Sequence, residues 1–292
     1  MMQALTSLLT TPYLLISLSA LIGLLVGSFL NVVIYRLPIM MQLSWRKECA
    51  DYLQIELDEA KPSEPFNLAM PLSRCPDCKR AIKPYENIPV ISYIFLRGRC
   101  ANCNKPIPIR YPLIEVLSAI SSAVITYHFG DNTQTLFALP LTWALIAICF
   151  IDIDHQLLPD SITLPLLWLG LFLSLFGIYT DSQASIIGAI GGYGILWSVY
   201  QLFKLATGKE GMGYGDFRLL AVFGAWLGWK YLMVIILLSS LVGAIIGILL
   251  IIFANHHHNK PIPFGPYLAS AGWIALLWGN ELNQLYLTYT GL

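Results

Sequence analysis

Charge is scarce in this chain: Asp, Glu, Lys and Arg make up 12% of 292 residues, hydrophobic residues 57%, and the mean hydropathy is +0.66. So little polar surface cannot wrap a soluble globule of this size, and that class is excluded. A basic start is missing too. The first positive charge, Arg36, comes only after the apolar block 12–35. That block is also too long for a cleavable secretory leader, so it is expected to be a retained first membrane helix. No G-x-G-x-x-G loop occurs, so a nucleotide-type cofactor site has no motif to locate it. The halves carry no evident internal repeat. With 17 basic against 17 acidic residues the net charge is zero, which by itself says nothing about partners; no nucleic-acid partner is expected.

What the chain does have is long apolar blocks. About 20 apolar residues cross a bilayer core. On that measure the expected spans are 12–35, 112–129, 136–151, 162–178, 185–205, 217–229, 231–254 and 264–282. The fold class is therefore an all-α polytopic membrane protein with about eight transmembrane helices and the lipid bilayer as its solvent. The 217–254 pair is interrupted only at Gly228-Trp229-Lys230, and its first member is short. A short helix of that kind suits a half-buried, cavity-lining position. The glycines at 188, 191, 192 and 194 would permit close helix packing.

Twelve of the 17 Lys and Arg residues lie between Arg36 and Arg110. The positive-inside rule then makes that segment cytoplasmic and both termini opposite. With it, the loops 152–161, 206–216 and 255–263 fall inside, and of Lys204, Lys209, Arg218, Lys230 and Lys260 only Lys230 falls outside. The expected domains are 1–36, a first membrane helix; 37–111, a small zinc-ribbon-like cytoplasmic insert; and 112–292, a seven-helix membrane domain.

The insert is polar and Pro-rich, and a domain of about 75 residues needs a staple. Cys75-Pro76-Asp77-Cys78 and Cys100-Ala101-Asn102-Cys103 supply one: two Cys-x2-Cys knuckles with 21 residues between them. Four thiolates suit tetrahedral Zn²⁺ in a closed, structural site. Two disulfides are the alternative, disfavoured in a reducing compartment. Cys49 and Cys149 lie outside the pattern and are read as ordinary residues. Arg97-Gly98-Arg99 reads as a turn, and Asp51 to Glu64 as a helix end and linker.

Gly211-Met212-Gly213-Tyr214-Gly215-Asp216 is a glycine-dense loop ending in an acid where an apolar helix is expected to begin, at Phe217. An acid at a membrane boundary is a functional hypothesis by default. The third span ends at Ile151-Asp152-Ile153-Asp154-His155 on the same membrane face, so it can bring a second acid to the first. Asp152 lies deepest, and Asp154 points about 200° away round a helix. Two aspartates that approach closely cannot both ionise cheaply, so one keeps a proton while the other activates water against a peptide carbonyl.

Bland alternatives stand beside this. Asp216 could cap its helix, Asp152 could pair with Arg218, and Asp160 or Ser161 could cap the fourth span. His155 and the run His256-His257-His258 read as solvated. A transporter using interfacial carboxylates as ion sites is the alternative function.

The residues resemble the type IV prepilin peptidases, bifunctional leader peptidases and N-methyltransferases, over essentially the whole chain. The resemblance rests on Gly27-Ser28-Phe29-Leu30-Asn31-Val32-Val33 with Arg36-Leu37-Pro38, the two knuckles, Glu86-Asn87-Ile88-Pro89, and Arg110-Tyr111-Pro112 with Glu115. It also rests on the stretch from Asp152 to Asp160, on Gly211 to Asp216, and on Pro263-Phe264-Gly265-Pro266-Tyr267. It implies Asp152 and Asp216 as catalytic residues, Cys75, Cys78, Cys100 and Cys103 as zinc ligands, and Gly98 as a position linked to methyl transfer. It further implies prepilin and pseudopilin substrates with a short basic leader, cut at the cytoplasmic face of the bacterial inner membrane. S-adenosyl-L-methionine would then methylate the new N-terminal residue, typically Phe.

Overall fold

The structure, a computed structural model, describes residues 12–55, 66–253 and 263–290. Eight long helices account for most of them: α1 Pro12–Leu53, α2 Arg110–Phe129, α3 Thr133–His155, α4 Asp160–Ser174, α5 Ser182–Thr207, α6 Tyr214–Leu227, α7 Leu232–Phe253 and α8 Gly265–Thr290. Strands are absent among the described residues, which hold only isolated bridges. Among the described residues, five helical segments are long and apolar enough to cross a membrane: α1, α2, α3, α5 and Trp229–Leu249, which includes most of α7. The all-α membrane fold is as expected. His256-His257-His258 and Lys260 lie outside the described residues.

Several boundaries differ from the expected ones for physical reasons. The first helix does not stop near Tyr35 but runs through Pro38 to Leu53. Proline there forfeits one backbone donor, yet the following residues are good helix formers, and Ser44 and Glu48 bond one turn apart at 3.0 Å. The last helix extends past the expected end at residue 282 to Thr290, with a non-helical break at Trp278. The break after Leu227 is as read: Gly228 takes a φ of 85° and a short 3₁₀ turn, Trp229–Tyr231, leads into α7.

The chain divides into two units, Met1–Ala147 and Ile148–Leu292. Within the first, α1 packs along α2 with almost no space between their backbones. A Cβ at Gly23 would lie 2.7 Å from the Ser118 carbonyl oxygen, and one at Gly27 2.7 Å from the Glu115 Cα. Asn31 spans the same seam by donating to the Tyr111 carbonyl at 3.2 Å.

Within the second unit, α6 is the centre. Eleven of its residues, from Asp216 to Leu227, are buried. A helix that is apolar all round belongs in a protein interior, which is why its 14 residues suffice where a lipid-facing span needs more. Glycines on its neighbours admit it: a Cβ at Gly188 of α5 would stand 2.3 Å from the Gly224 carbonyl oxygen, and one at Gly192 2.7 Å from that of Leu220. Two buried polar groups at the seams of α6 find carbonyl partners. The Trp226 indole donates to the Leu166 carbonyl at 2.8 Å, and the Ser185 hydroxyl to that of Ala225 at 2.6 Å.

Candidate active site

The four cysteines come together. Their sulfur atoms lie within 4.8 Å of one another. The Cys75 and Cys103 sulfurs are 3.8 Å apart, far too long for a disulfide bond and about the sulfur–sulfur separation of a tetrahedron with metal–sulfur bonds near 2.3 Å. The donor set therefore fits a metal ion.

Two matching turns build it. In the first, the Cys75 amide donates to the Arg80 carbonyl and the Lys79 amide to the Cys75 carbonyl; in the second, the Cys100 amide donates to Lys105 and the Asn104 amide to Cys100, all at 2.9–3.0 Å. Lys79 and Asn104 take φ of 58° and 56°. Every residue of one knuckle has its counterpart 25 positions on (100 − 75 = 25). The folded turns aim backbone amides at the sulfurs, so the Arg80 N–H holds the Cys78 thiol down to about 6 and the Cys103 N–H lowers that of Cys100. The thiolate, the metal-binding form, is favoured at Cys78 and Cys100, whereas Cys103, despite the Lys105 N–H, is pushed up to about 11 by burial and the neighbouring thiols.

Gly98 precedes the second knuckle, as the turn reading of Arg97-Gly98-Arg99 has it. Its φ is 66°, and a Cβ there would meet the Tyr93 ring at 3.0 Å. Its amide donates to the Tyr93 carbonyl, and its carbonyl accepts from Ile107.

In the second unit, the acids singled out from sequence fall into different roles. Asp152 is buried near the end of α3, whereas Asp154 and His155 face outward. The Asp152 Oδ2 accepts the backbone N–H of Gly265 at 3.0 Å. Gly265 is the first residue of α8, so the carboxyl sits at that helix's positive end. Only glycine tolerates the approach, because a Cβ at position 265 would lie 2.6 Å from the same oxygen.

Asp216 is also buried, in the first turn of α6, and Asp152 lies close enough to act on it electrostatically. Leu158 wedges between the two strands of backbone. A Cβ at Gly215 would lie 2.6 Å from its Cβ, and one at Gly265 3.0 Å from its Cδ2.

The bland alternatives resolve individually. Arg218 pairs with Asp160 and not with Asp152. The fourth helix is preceded by Pro159 at its N-cap, without a side-chain bond, so neither Asp160 nor Ser161 caps it. The α6 helix starts at Tyr214, earlier than the expected Phe217, with Gly213 as N-cap. The Asp216 amide donates to the Gly213 carbonyl at 3.3 Å as the helix begins. Asp216 thus lies in the first turn, where a carboxylate suits the positive end of the helix, without a side-chain capping bond. The glycines of this loop serve close approach: none has a positive φ, and Gly215 lies against Leu158.

Sequence reasoning missed the partnership of Asp152 with Gly265 and the wedge at Leu158. The available signal was Pro263-Phe264-Gly265-Pro266, a glycine between prolines at a helix start. An open cavity of about 280 Å³ lies beside it, lined by Ser240, Gly243, Ala244, Pro263, Phe264 and Tyr267.

Comparison with known proteins agrees with this organisation. Residues 21–129 match the Bacterial Peptidase A24 N-terminal domain, and residues 139–248 match the Type IV leader peptidase family. Curated relatives named "Prepilin leader peptidase/N-methyltransferase" include one from Aeromonas hydrophila, 54% identical over 95% of both chains. One from Pseudomonas aeruginosa is 50% identical over 99% of both, and one from Legionella pneumophila 44% identical over 95% of this chain and 96% of its own. No solved structure matches the chain. A leader-peptidase match that takes in both acids, joined to a separate match that takes in all four cysteines, leaves the transporter alternative without support, and the chain belongs to the Type IV leader peptidase family.

Proposed function

We propose that this chain is a membrane aspartic endopeptidase that removes the short basic leader from prepilins and pseudopilins and then N-methylates the new terminal residue. The observation that supports it most is the buried pair Asp152 and Asp216, delivered by separate helices, with Asp152 near enough to act electrostatically on Asp216. Two such carboxyls share a proton more readily than they both ionise.

In the proposed reaction the ionised partner takes a proton from water as that water attacks the scissile carbonyl. The protonated partner polarises the carbonyl oxygen and then passes a proton to the departing amine. The Gly265 N–H holds one Asp152 oxygen in place. The pair titrates as a unit. The cavity beside Gly265, with the aromatic walls Phe264 and Tyr267, offers a recess for the residue after the cut, typically Phe.

Cys75, Cys78, Cys100 and Cys103 would hold Zn²⁺, which staples the insert 37–111 into one fold; Gly98 lies in the same region, where the resemblance places methyl transfer. S-adenosyl-L-methionine supplies the methyl group. The insert and the acid pair face the cytoplasm on this reading, because the scissile bond of a membrane-anchored prepilin lies where its basic leader leaves the bilayer.

Asp152→Asn and Asp216→Asn test the reading singly. Each should insert normally yet leave a prepilin peptide intact, a loss of about 10²–10⁴-fold or more. Normal cleavage by either variant would overturn the assignment.

A further inference from the structure

Between the knuckles, a short helix, Ile91–Phe95, shows an apolar face to the outside. Ile91, Ile94 and Phe95 are 52%, 68% and 82% exposed. Their spacing of three and four puts them on one side. The opposite side is occupied: Tyr93 lies against Gly98, and its hydroxyl donates to the Ile107 carbonyl at 3.4 Å. The helix is therefore folded onto its own domain with its greasiest side left over. Ile109, at the N-cap of α2, is 72% exposed as well.

Two further observations say what covers it. First, the helix is fastened to that span. The Val90 amide, at its N-cap, donates to the Glu115 carboxylate at 2.7 Å. Glu115 lies five residues into α2 (115 − 110 = 5), about 7–8 Å along its axis, so the bond draws the short helix down beside the start of the hydrophobic segment. Secondly, the chain leaving the helix carries Arg97 and Arg99, both exposed. Apolar side chains at that depth with guanidinium groups beside them complement the acyl–headgroup boundary of an anionic leaflet.

We propose that Ile91–Phe95 is an interfacial anchor: Ile91, Ile94 and Phe95 enter the leaflet on the side of the four-cysteine region, and Arg97 and Arg99 engage its anionic headgroups. Glu115 is then the hinge pin between span and anchor. It sets the height at which the four-cysteine region rides on the membrane and brings the Gly98 turn to the lipid surface.

The full chain carrying a photoreactive p-benzoylphenylalanine in place of Phe95, reconstituted in vesicles of phosphatidylglycerol and phosphatidylcholine, tests this. Mass spectrometry after irradiation should find the probe joined to lipid, with phosphatidylglycerol over-represented several-fold relative to its share. A companion protein with Arg97→Gln and Arg99→Gln should keep the lipid adduct and its metal content and lose the phosphatidylglycerol preference. Adducts only to protein, or none to lipid, would overturn the anchor. Adducts in the mixing ratio of the lipids would overturn the role of the arginines.

Discussion

The four-cysteine cluster and the aspartate pair are assembled in opposite ways. Each knuckle closes over a few residues, with its own backbone bonds repeated 25 positions later (100 − 75 = 25). The acid site draws Asp152, Leu158, Gly215, Asp216 and Gly265 from three separate helices and a connecting loop. A locally closed site carries its geometry in its spacing. A site built from distant segments carries it in the packing of α6 against its neighbours.

The comparison predicts that the two sites fail independently. The largest effect is expected at the acids: Asp152→Asn should lose the 10²–10⁴-fold of cleavage named above while the metal content, by elemental analysis, stays at one ion per chain. Loss of metal in that variant would break the comparison. Next comes Cys75→Ser, which removes one of four clustered sulfurs and should take bound zinc from one per chain towards zero, with the membrane helices still inserted. Stoichiometric disulfides in the native protein would contradict both the metal site and the assigned side of the membrane.

A smaller effect separates position from chemistry. Gly265→Ala adds a carbon 2.6 Å from the Asp152 Oδ2 and should cost roughly 100-fold in kcat, as misplacements near 1 Å do. The thermal midpoint should change little. An unchanged kcat would show that the Gly265 amide does not position Asp152.

The smallest effect is a contrast in stability on α5. Gly188→Ala collides with the Gly224 backbone at 2.3 Å, whereas a Cβ at Gly194 meets nothing within 4 Å. The first should destabilise by about 1–3 kcal/mol. The second should be neutral or stabilising by up to about 1 kcal/mol, since alanine is the better helix former. Thermal unfolding in detergent would check both, and equal effects would remove α6 packing as the source of the site's geometry.

The same contrast explains what could be read in advance. The cysteine set was legible because the Cys-x2-Cys spacing already encodes a folded turn. The separation of Asp152 from Asp154 was legible from helical angle: the first is buried and the second exposed. The extension of α1 through Pro38 was not, because a proline reads as a stop and the helix formers after it outweigh one lost bond. Nor was the start of α6. Glycines at positions 213 and 215 suggest loop, and only the close approach of Leu158 to Gly215 shows that the helix needs one of them for space.

By itself the sequence determined a multi-span helical chain, since sparse charge in long apolar blocks leaves the backbone no other way to satisfy its hydrogen bonds in lipid. It determined the cysteine cluster and nominated both acids as well. The tertiary structure decided which amide holds Asp152, which acid takes Arg218, and why so short a helix as α6 stands at the centre of its unit. Those depend on contacts between residues as far apart as 152 and 265, and no local spacing records the height at which two helices meet.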